Sequence, residues 1–147
     1  MTRYRIRPAV ADDSSTIKAL VRAARINPTG LKWPRFLVAE LNPGEVIACA
    51  QIKPHRDGSH ELASLVVDPA FRGQGIARSL AEHLIEAHEG ELYLMCRSSL
   101  GNFYKKLGFE VIAEPQMTPY FRKINRLASL SKLLRKENET LLVMRRI

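Results

Sequence analysis

The segment from Val66 to Leu80 joins a strand end, two closely spaced glycines and the start of a helix. It reads VVDPAFRGQGIARSL, and Pro69 ends the strand before the glycines. Backbone N–H groups of such a turn bind anions, and the helix N-terminus adds about half a positive charge. Because glycine has no Cβ, a phosphate can approach the main chain of Gly73 and Gly75 closely. The segment therefore predicts a phosphate-binding loop.

Two common phosphate-binding motifs do not fit this loop. The Walker motif needs GxxxxGK followed by Ser or Thr, and the sequence has no such run. The dinucleotide motif GxGxxG needs a third glycine where Arg78 stands, and the strand before the loop reads as antiparallel. The loop is therefore assigned neither to a P-loop NTPase nor to a dinucleotide-binding domain.

The elements around the loop predict one α/β (α+β) domain over residues 1–147. Apolar alternation and turn signals predict strands at 4–10, 36–41, 46–55, 60–69, 91–97, 109–114 and 141–147. Amphipathic patterns predict helices after Asp12 or Asp13, within 71–90, within 99–108 and at 120–136. An antiparallel meander over 36–68 is followed by a parallel crossover. We expect a mixed, mostly antiparallel central sheet of about seven strands, flanked by helices.

The distribution of charge, the cysteines and the absence of long apolar stretches indicate which partners and location to expect. The net charge is +8, and most of it falls within 118–147. The basic helix at 120–136 is either a solvated face or a surface that shapes an acceptor site or meets an anionic partner. Cys49 and Cys96 lie in apolar runs without metal-ligand spacing, so we expect two buried thiols and no metal. Without a long apolar stretch or a signal-peptide core, we expect a soluble, cytoplasmic protein and no membrane partner.

The loop and a later segment together resemble the GNAT superfamily of N-acetyltransferases. Arg72-x-x-Gly75-x-Ala77, after a Val-x-Pro strand end, is similar to the family's acetyl-CoA signature (Q/R)xxGx(G/A). The run FYKKLGFE, which follows the strand LYLMCR, resembles the family's FYxKxGF box. The order of elements is also that of the family. The resemblance implies a GNAT-like acyl-CoA N-acyltransferase fold and acetyl transfer from acetyl-CoA to a primary amine.

The resemblance also implies how acetyl-CoA is bound. The amides of Gly73 to Ala77 would hold the pyrophosphate, and the main chain at Leu65 and Val67 would pair with the pantetheine arm. Lys106 would reach the phosphates. The residues implied in binding are Leu65, Val66, Val67, Arg72, Gly73, Gln74, Gly75, Ile76, Ala77, Arg78, Asn102, Phe103 and Lys106.

Three residues carry the implied chemistry. Glu61 lies 11 residues before Arg72, where several family members have a general base. Alternation places Glu61 on the same strand face as Leu65 and Val67, and a bulge in this strand would change that phase. The resemblance implies that the Leu65 amide would polarise the thioester carbonyl. Tyr104 of the box would protonate the departing thiolate. The amine would attack directly, without an acyl-enzyme.

Several alternatives remain open from the sequence. Glu61 can also be read as a solvated strand residue, His55 as an assisting base, and Trp33 as a core residue or part of an acceptor site. Arg97 stands where the family often has an asparagine on the pantetheine. A nucleic-acid-binding protein acting through its basic helix, and a non-catalytic CoA-sensing module, are the competing functions. The expected partners are acetyl-CoA and an undetermined amine, with the chain a monomer or homodimer.

Overall fold

The computed structural model describes residues 2–130 and 139–147, and its described strands form one sheet. The strands are Arg5–Pro8 (β1), Phe36–Glu40 (β2), Val46–Pro54 (β3), His60–Val67 (β4), Leu92–Arg97 (β5), Glu110–Val111 (β6) and Leu141–Arg146 (β7). The helices are Ser14–Ala23 (α1), Ile76–Ala87 (α2), Gly101–Lys105 (α3) and Pro119–Leu130 (α4). The strand order is β1-β2-β3-β4-β5-β7-β6.

The strand directions match the predicted sheet. β1 with β2, β2 with β3, β5 with β7, and β6 with β7 are antiparallel pairs. β4 and β5 run parallel, with Glu61 opposite Tyr93. This is the predicted crossover through α2, which is long enough to connect parallel neighbours. A mixed, mostly antiparallel sheet of about seven strands flanked by helices is therefore confirmed.

Some element ends differ from the prediction. The strand expected at 109–114 is only Glu110–Val111, because the Ala113 N–H is bound by the Gln116 side chain and a 3₁₀ turn starts at Glu114. α2 begins at Ile76, directly after the predicted glycine turn, whose two glycines are left-handed. α4 is described from Pro119 to Leu130, so the rest of the helix predicted at 120–136 lies outside the described residues.

The chain divides into two compact units, of which the first comprises Met1–Lys53 and Leu62–Glu89. Its core forms where Ile17 and Val21 of α1 pack with Phe36 and other apolar strand residues. These two α1 residues are four apart, so one helix face is buried. Trp33 packs partly buried against this core, which favours its interpretation as a core residue.

The second unit comprises Pro54–Glu61 and Gly90–Ile147. Phe121 of α4 is fully buried there and stacks on Tyr93 of β5, with ring centroids 5.0 Å apart. Ile112, Met117 and Val143 complete this cluster. This stacking attaches the first turn of α4 to β5 and thereby positions the residues next to Phe121.

The two cysteines lie where the sequence places them. Cys49 and Cys96 are both buried free thiols, as predicted. One domain over 1–147 remains a prediction, as does the cytoplasmic location. Among the helices of residues 2–130 and 139–147, none combines the length and apolarity needed to cross a bilayer.

Candidate active site

The glycine loop has the backbone geometry that anion binding requires. Gly73 and Gly75 adopt φ of +78° and +80°, in the left-handed region that favours glycine. A Cβ built at either position would have no heavy atom within 4 Å, so open space lies beside both. α2 starts immediately afterwards at Ile76, and Gly75 offers no side chain to cap its amides. The loop therefore presents unshielded main chain at a helix N-terminus.

Polar side chains around the loop are tied to nearby groups. Arg72 Nε donates to the Val67 carbonyl at 3.3 Å, which keeps this cation beside the end of β4. Arg78 Nε donates to Glu82 one turn along α2, at 2.7 Å. Gln74 accepts from the Thr2 amide at 3.2 Å. Both arginines remain exposed, so their cationic groups are available to an anion at the loop.

Strict alternation along β4 fails at Ser64. This residue adopts φ +57°, a left-handed conformation uncommon for a residue with a side chain. The two-residue alternation needs continuous extended backbone. The alternation between Glu61 and Leu65 is therefore interrupted, which favours the alternative of a bulge in this strand, and the left-handed residue reorients the chain just before the Leu65 amide.

Glu61 is buried and paired with a histidine. Its Oε1 lies 2.8 Å from Nε2 of His55, and only 9% of each side chain is exposed. The reading of Glu61 as a solvated strand residue is therefore wrong. In the neutral tautomer whose Nε2 carries the proton, Nε2 donates to the Glu61 carboxylate and Nδ1 has a lone pair that can accept a proton. This pair can accept and hold a proton.

The first turn of α4 covers this histidine. The ring of Tyr120 stacks on His55 with centroids 3.6 Å apart, and Phe121 meets the same ring edge-on at 5.6 Å. Burial, followed by the negative charges of Glu61 and Asp57, raises the pKa of Tyr120. The Tyr120 hydroxyl therefore stays protonated at neutral pH beside the pair.

Asp57, in the turn between β3 and β4, binds the first turn of α4. Its Oδ2 accepts from the Tyr120 amide at 3.0 Å, while Oδ1 accepts from the Ser59 amide and hydroxyl. Burial alone would raise its pKa, but bonds from Ser59, Tyr120 and Thr118 together lower the pKa well below its usual range. Asp57 therefore acts as a helix cap supplied by a different segment.

Tyr104 lies on α3 and keeps its proton. Burial raises the pKa of its hydroxyl well above the ordinary value, and Cys96 raises it further. Its ring meets Phe103 and Phe109 edge-on. Asn102 and Lys106, the other positions of this segment implied in binding, are exposed. This segment therefore carries both the protonated Tyr104 hydroxyl and the exposed polar side chains of Asn102 and Lys106.

The structure brings together some predicted residues and adds others. Gly73 to Arg78, with Leu65 to Val67, lie in the first unit, whereas Glu61, Asn102, Phe103, Tyr104 and Lys106 lie in the second. Tyr120 and Asp57 were missed, although the Asp-Gly turn and the Thr-Pro helix start marked their two segments. No pattern in the sequence indicated that these segments meet.

The basic face of α4 is partly engaged within its own unit. Arg126 pairs with Glu114, and Arg122 donates to the Met117 carbonyl at 3.0 Å. An open groove of about 360 Å³ runs along the helix, lined by Pro119, Arg122, Lys123, Arg126, Leu127 and Leu130. Across the described ranges, no three His, Cys, Asp or Glu side chains cluster as a metal site would require.

Several solved structures share this fold. N-acetylglutamate synthase from Neisseria gonorrhoeae, complexed with coenzyme A and N-acetyl-glutamate, has a TM-score of 0.75 and 21% identity, covering 99% of this chain and 35% of that one. This chain therefore spans about a third of that protein. Rv2747 from Mycobacterium tuberculosis, in complex with CoA and NLQ, has a TM-score of 0.70 and 20% identity, covering 97% and 98%. Ard1 from Thermoplasma volcanium has a TM-score of 0.68 and 19% identity, covering 98% and 97%.

Sequence comparisons complete the assignment. A search of curated proteins finds no match. The family model described as "Acetyltransferase (GNAT) domain" matches residues 32–111, more than half of the chain. That range contains both the glycine loop and Tyr104. The chain belongs to the GNAT acetyltransferase family.

Proposed function

We propose that this N-acetyltransferase moves the acetyl group of acetyl-CoA to a primary amine by direct attack in a ternary complex. The observation that carries the proposal is the buried hydrogen bond between His55 and Glu61, which provides a proton acceptor. The CoA found in the Neisseria and Mycobacterium structures supports the choice of co-substrate.

The glycine loop fits the pyrophosphate of CoA. Its two left-handed glycines leave the main chain open, and the amides of Gly73 to Ala77 would donate to phosphate oxygens. Arg72 and Arg78 add positive charge beside the loop, and exposed Lys106 is assigned to the remaining phosphates. Bound acetyl-CoA supplies the acetyl thioester, and the amide of Leu65 would donate to its carbonyl oxygen.

The acceptor must lose protons for the reaction to proceed. An alkylammonium has a pKa of about 10.4, so it holds its proton at neutral pH and cannot attack. His55 Nδ1 would take a proton, with Glu61 holding Nε2–H and stabilising the charged ring. The nitrogen then bonds to the acetyl carbon, the carbon–sulfur bond breaks, and the nitrogen releases its second proton.

The leaving sulfur needs one proton in return. We assign this donation to Tyr104, whose hydroxyl still carries its proton at neutral pH because burial raises its pKa. Tyr104 then regains a proton from solvent, and His55 gives its proton up to solvent. For each acetyl group transferred, an ammonium and a thioester thus become an amide, a thiol and one released proton.

Direct attack is supported by the state of the two cysteines. Burial raises the pKa of Cys96 to about 11 and that of Cys49 to about 12. A thiol with such a pKa is almost entirely protonated at neutral pH and is a poor nucleophile. Neither cysteine is therefore assigned a covalent acetyl intermediate.

A free-thiol assay with acetyl-CoA tests the proposal. The wild-type chain is mixed with L-glutamate, spermidine, a peptide with a free N-terminus, and an N-blocked peptide containing lysine. Thiol release that depends on one of these amines, with the acetylated amine found by mass spectrometry, supports an N-acetyltransferase. CoA binding without any acetylated amine would instead favour the non-catalytic CoA-sensing module.

A further inference from the structure

Gln51 of β3 is a fully buried polar residue with an incompletely satisfied side chain. Its Nε2 donates to Ser64 Oγ at 2.9 Å and to the Gly30 carbonyl at 3.2 Å. Its Oε1 is also buried and has no hydrogen-bond partner among the residues that the structure describes. An orphaned amide oxygen opposes folding, so an apolar side chain of similar shape would serve the core as well. The placement of this amide therefore points to a role other than core stability.

The partner of Gln51 is the strained residue of β4. Ser64 has φ +57°, which is unfavourable for a residue with a Cβ, so surrounding contacts must hold it. Two residues of β3, Gln51 and Cys49, contact Ser64 at different atoms. Gln51 binds the Ser64 hydroxyl, and Cys49 Sγ donates to the Ser64 carbonyl at 3.5 Å. The peptide plane that follows Ser64 carries the amide of Leu65.

The second bond of Gln51 anchors its amide plane to the loop over 24–32. Lys53, two residues along β3, donates to the Thr29 carbonyl at 3.0 Å, next to the Gly30 carbonyl that Gln51 binds. The Lys53 side chain also lies where a Cβ of Gly30 would be, only 2.8 Å from Cε. Two adjacent carbonyls of the loop are thus fixed against β3, and the Gln51 amide nitrogen links the Gly30 carbonyl to the Ser64 hydroxyl.

We propose that Gln51 is a positioning residue that sets the direction of the Leu65 amide through Ser64. The inference rests on the proposed function, in which that amide donates to the thioester carbonyl. Because this hydrogen bond strengthens as negative charge develops on the oxygen, loss of its alignment lowers kcat more than it changes substrate binding.

Gln51→Met is the direct test, because methionine has a similar length and no amide. We expect kcat to fall about tenfold or more, with the KM for acetyl-CoA changing less than about twofold. In uniformly ¹⁵N-labelled protein, the Leu65 amide resonance should shift in the variant. An unchanged kcat together with an unchanged Leu65 resonance would overturn the proposal.

Ser64→Gly tests the route through Ser64, since glycine adopts the left-handed conformation without help. In the Ser64→Gly background, Gln51→Met should lower kcat by less than about threefold, because the two changes act through one contact. Ser64→Val, whose branched side chain opposes φ +57°, should behave like Gln51→Met. A full loss from Gln51→Met in the glycine background contradicts the route.

The outcomes separate this inference from the proposed function. Wild-type protein that acetylates none of the four amines contradicts the function, and the Leu65 resonance then decides the role of Gln51 alone. In that case, a Leu65 resonance at the wild-type position in Gln51→Met overturns the positioning role of Gln51. If Gln51→Met does not fold, Ser64→Gly and Ser64→Val are compared instead. A lower kcat and a shifted Leu65 resonance in Ser64→Val relative to Ser64→Gly support the route through Ser64, and equal values overturn it.

Discussion

Nε2 of His55 lies 2.8 Å from the carboxylate of Glu61, across the hairpin turn that Asp57 and Gly58 form between β3 and β4. Both side chains are about nine-tenths buried, and the ring of Tyr120 covers the imidazole. Burial of a carboxylate is unfavourable unless it is hydrogen-bonded, and the contact with Nε2 meets that need. In the tautomer with the proton on Nε2, Nδ1 is the nitrogen that can accept a proton. The proposed acetyl transfer depends on this pair.

Glu61→Gln should lower kcat at pH 7 by about 100-fold or more, because His55, which takes the proton, loses the carboxylate that holds its Nε2–H and stabilises its charged ring. The KM for acetyl-CoA should stay within about twofold, because Glu61 is assigned no contact with CoA. Thiol release at saturating amine measures both. Glu110→Gln, at an exposed position of β6, is the control and should match wild type. Equal kcat in Glu61→Gln and wild type would remove Glu61 from the chemistry.

Tyr104→Phe should lower kcat about 10- to 100-fold, because the ring is kept while the proton donor is removed. The pKa of Tyr104 lies above the ordinary tyrosine value of about 10, so the hydroxyl keeps its proton at every pH below about 10. The wild-type rate should therefore show no alkaline loss attributable to Tyr104 below about pH 10. A pH–rate series checks this, with Tyr4→Phe as the control, and an active Tyr104→Phe enzyme would contradict the assignment.

Gly75→Ala should weaken CoA binding about 5- to 30-fold, because a left-handed conformation costs a residue with a Cβ roughly 1–2 kcal/mol. The nearest heavy atoms are beyond 4 Å, so the effect arises from the backbone rather than from a clash within the protein. Isothermal titration with CoA gives the affinity. Gly44→Ala is matched, with φ +89° and open space, but lies in the turn between β2 and β3. Equal affinities for the two variants would argue against the loop as the phosphate site.

Asp57→Asn should destabilise the fold by about 1 kcal/mol, the usual loss for a helix cap, because one amide oxygen cannot replace both carboxylate oxygens. The pKa of Asp57 is lowered in the folded state, so its ionised form stabilises the protein above the unfolded value of about 4. This contribution is lost as the pH falls through the lower folded pKa.

Urea midpoints between pH 7 and pH 3 measure that contribution. The gap between wild type and Asp57→Asn should be full at neutral pH and narrow at acid pH, whereas Asp12→Asn, at an exposed position, should give no such gap. A gap that stays constant down to pH 3 is inconsistent with the capping role.

Cys96→Ser should retain wild-type kcat within about threefold, since a protonated, buried thiol takes no part in transfer. Native protein at pH 8 should resist alkylation at both cysteines, and the same sample unfolded in urea should react fully. Intact-mass spectrometry during turnover checks for an acetyl adduct. An adduct on Cys96 that forms and decays with turnover would contradict direct attack.

The sequence was sufficient for features that depend on local pattern. The glycine loop and the crossover follow from strand, helix and turn signals over short stretches, and the structure has them where predicted. The left-handed Ser64 and the contact of Tyr120 with His55 could not be predicted in the same way. Ser64 is held by side chains of β3, and Tyr120 stacks on His55 where Asp57 binds its amide and Phe121 packs on Tyr93. Both depend on tertiary contacts between segments distant in the chain.

The most direct test of the account is mass detection of the acetylated amine formed from acetyl-CoA by wild type and by Glu61→Gln at pH 7. The account predicts an amine-dependent product with wild type, equal in amount to the free thiol released, and at least about 100-fold slower formation with Glu61→Gln. Amine-independent thiol release, or equal product from both proteins, would contradict it.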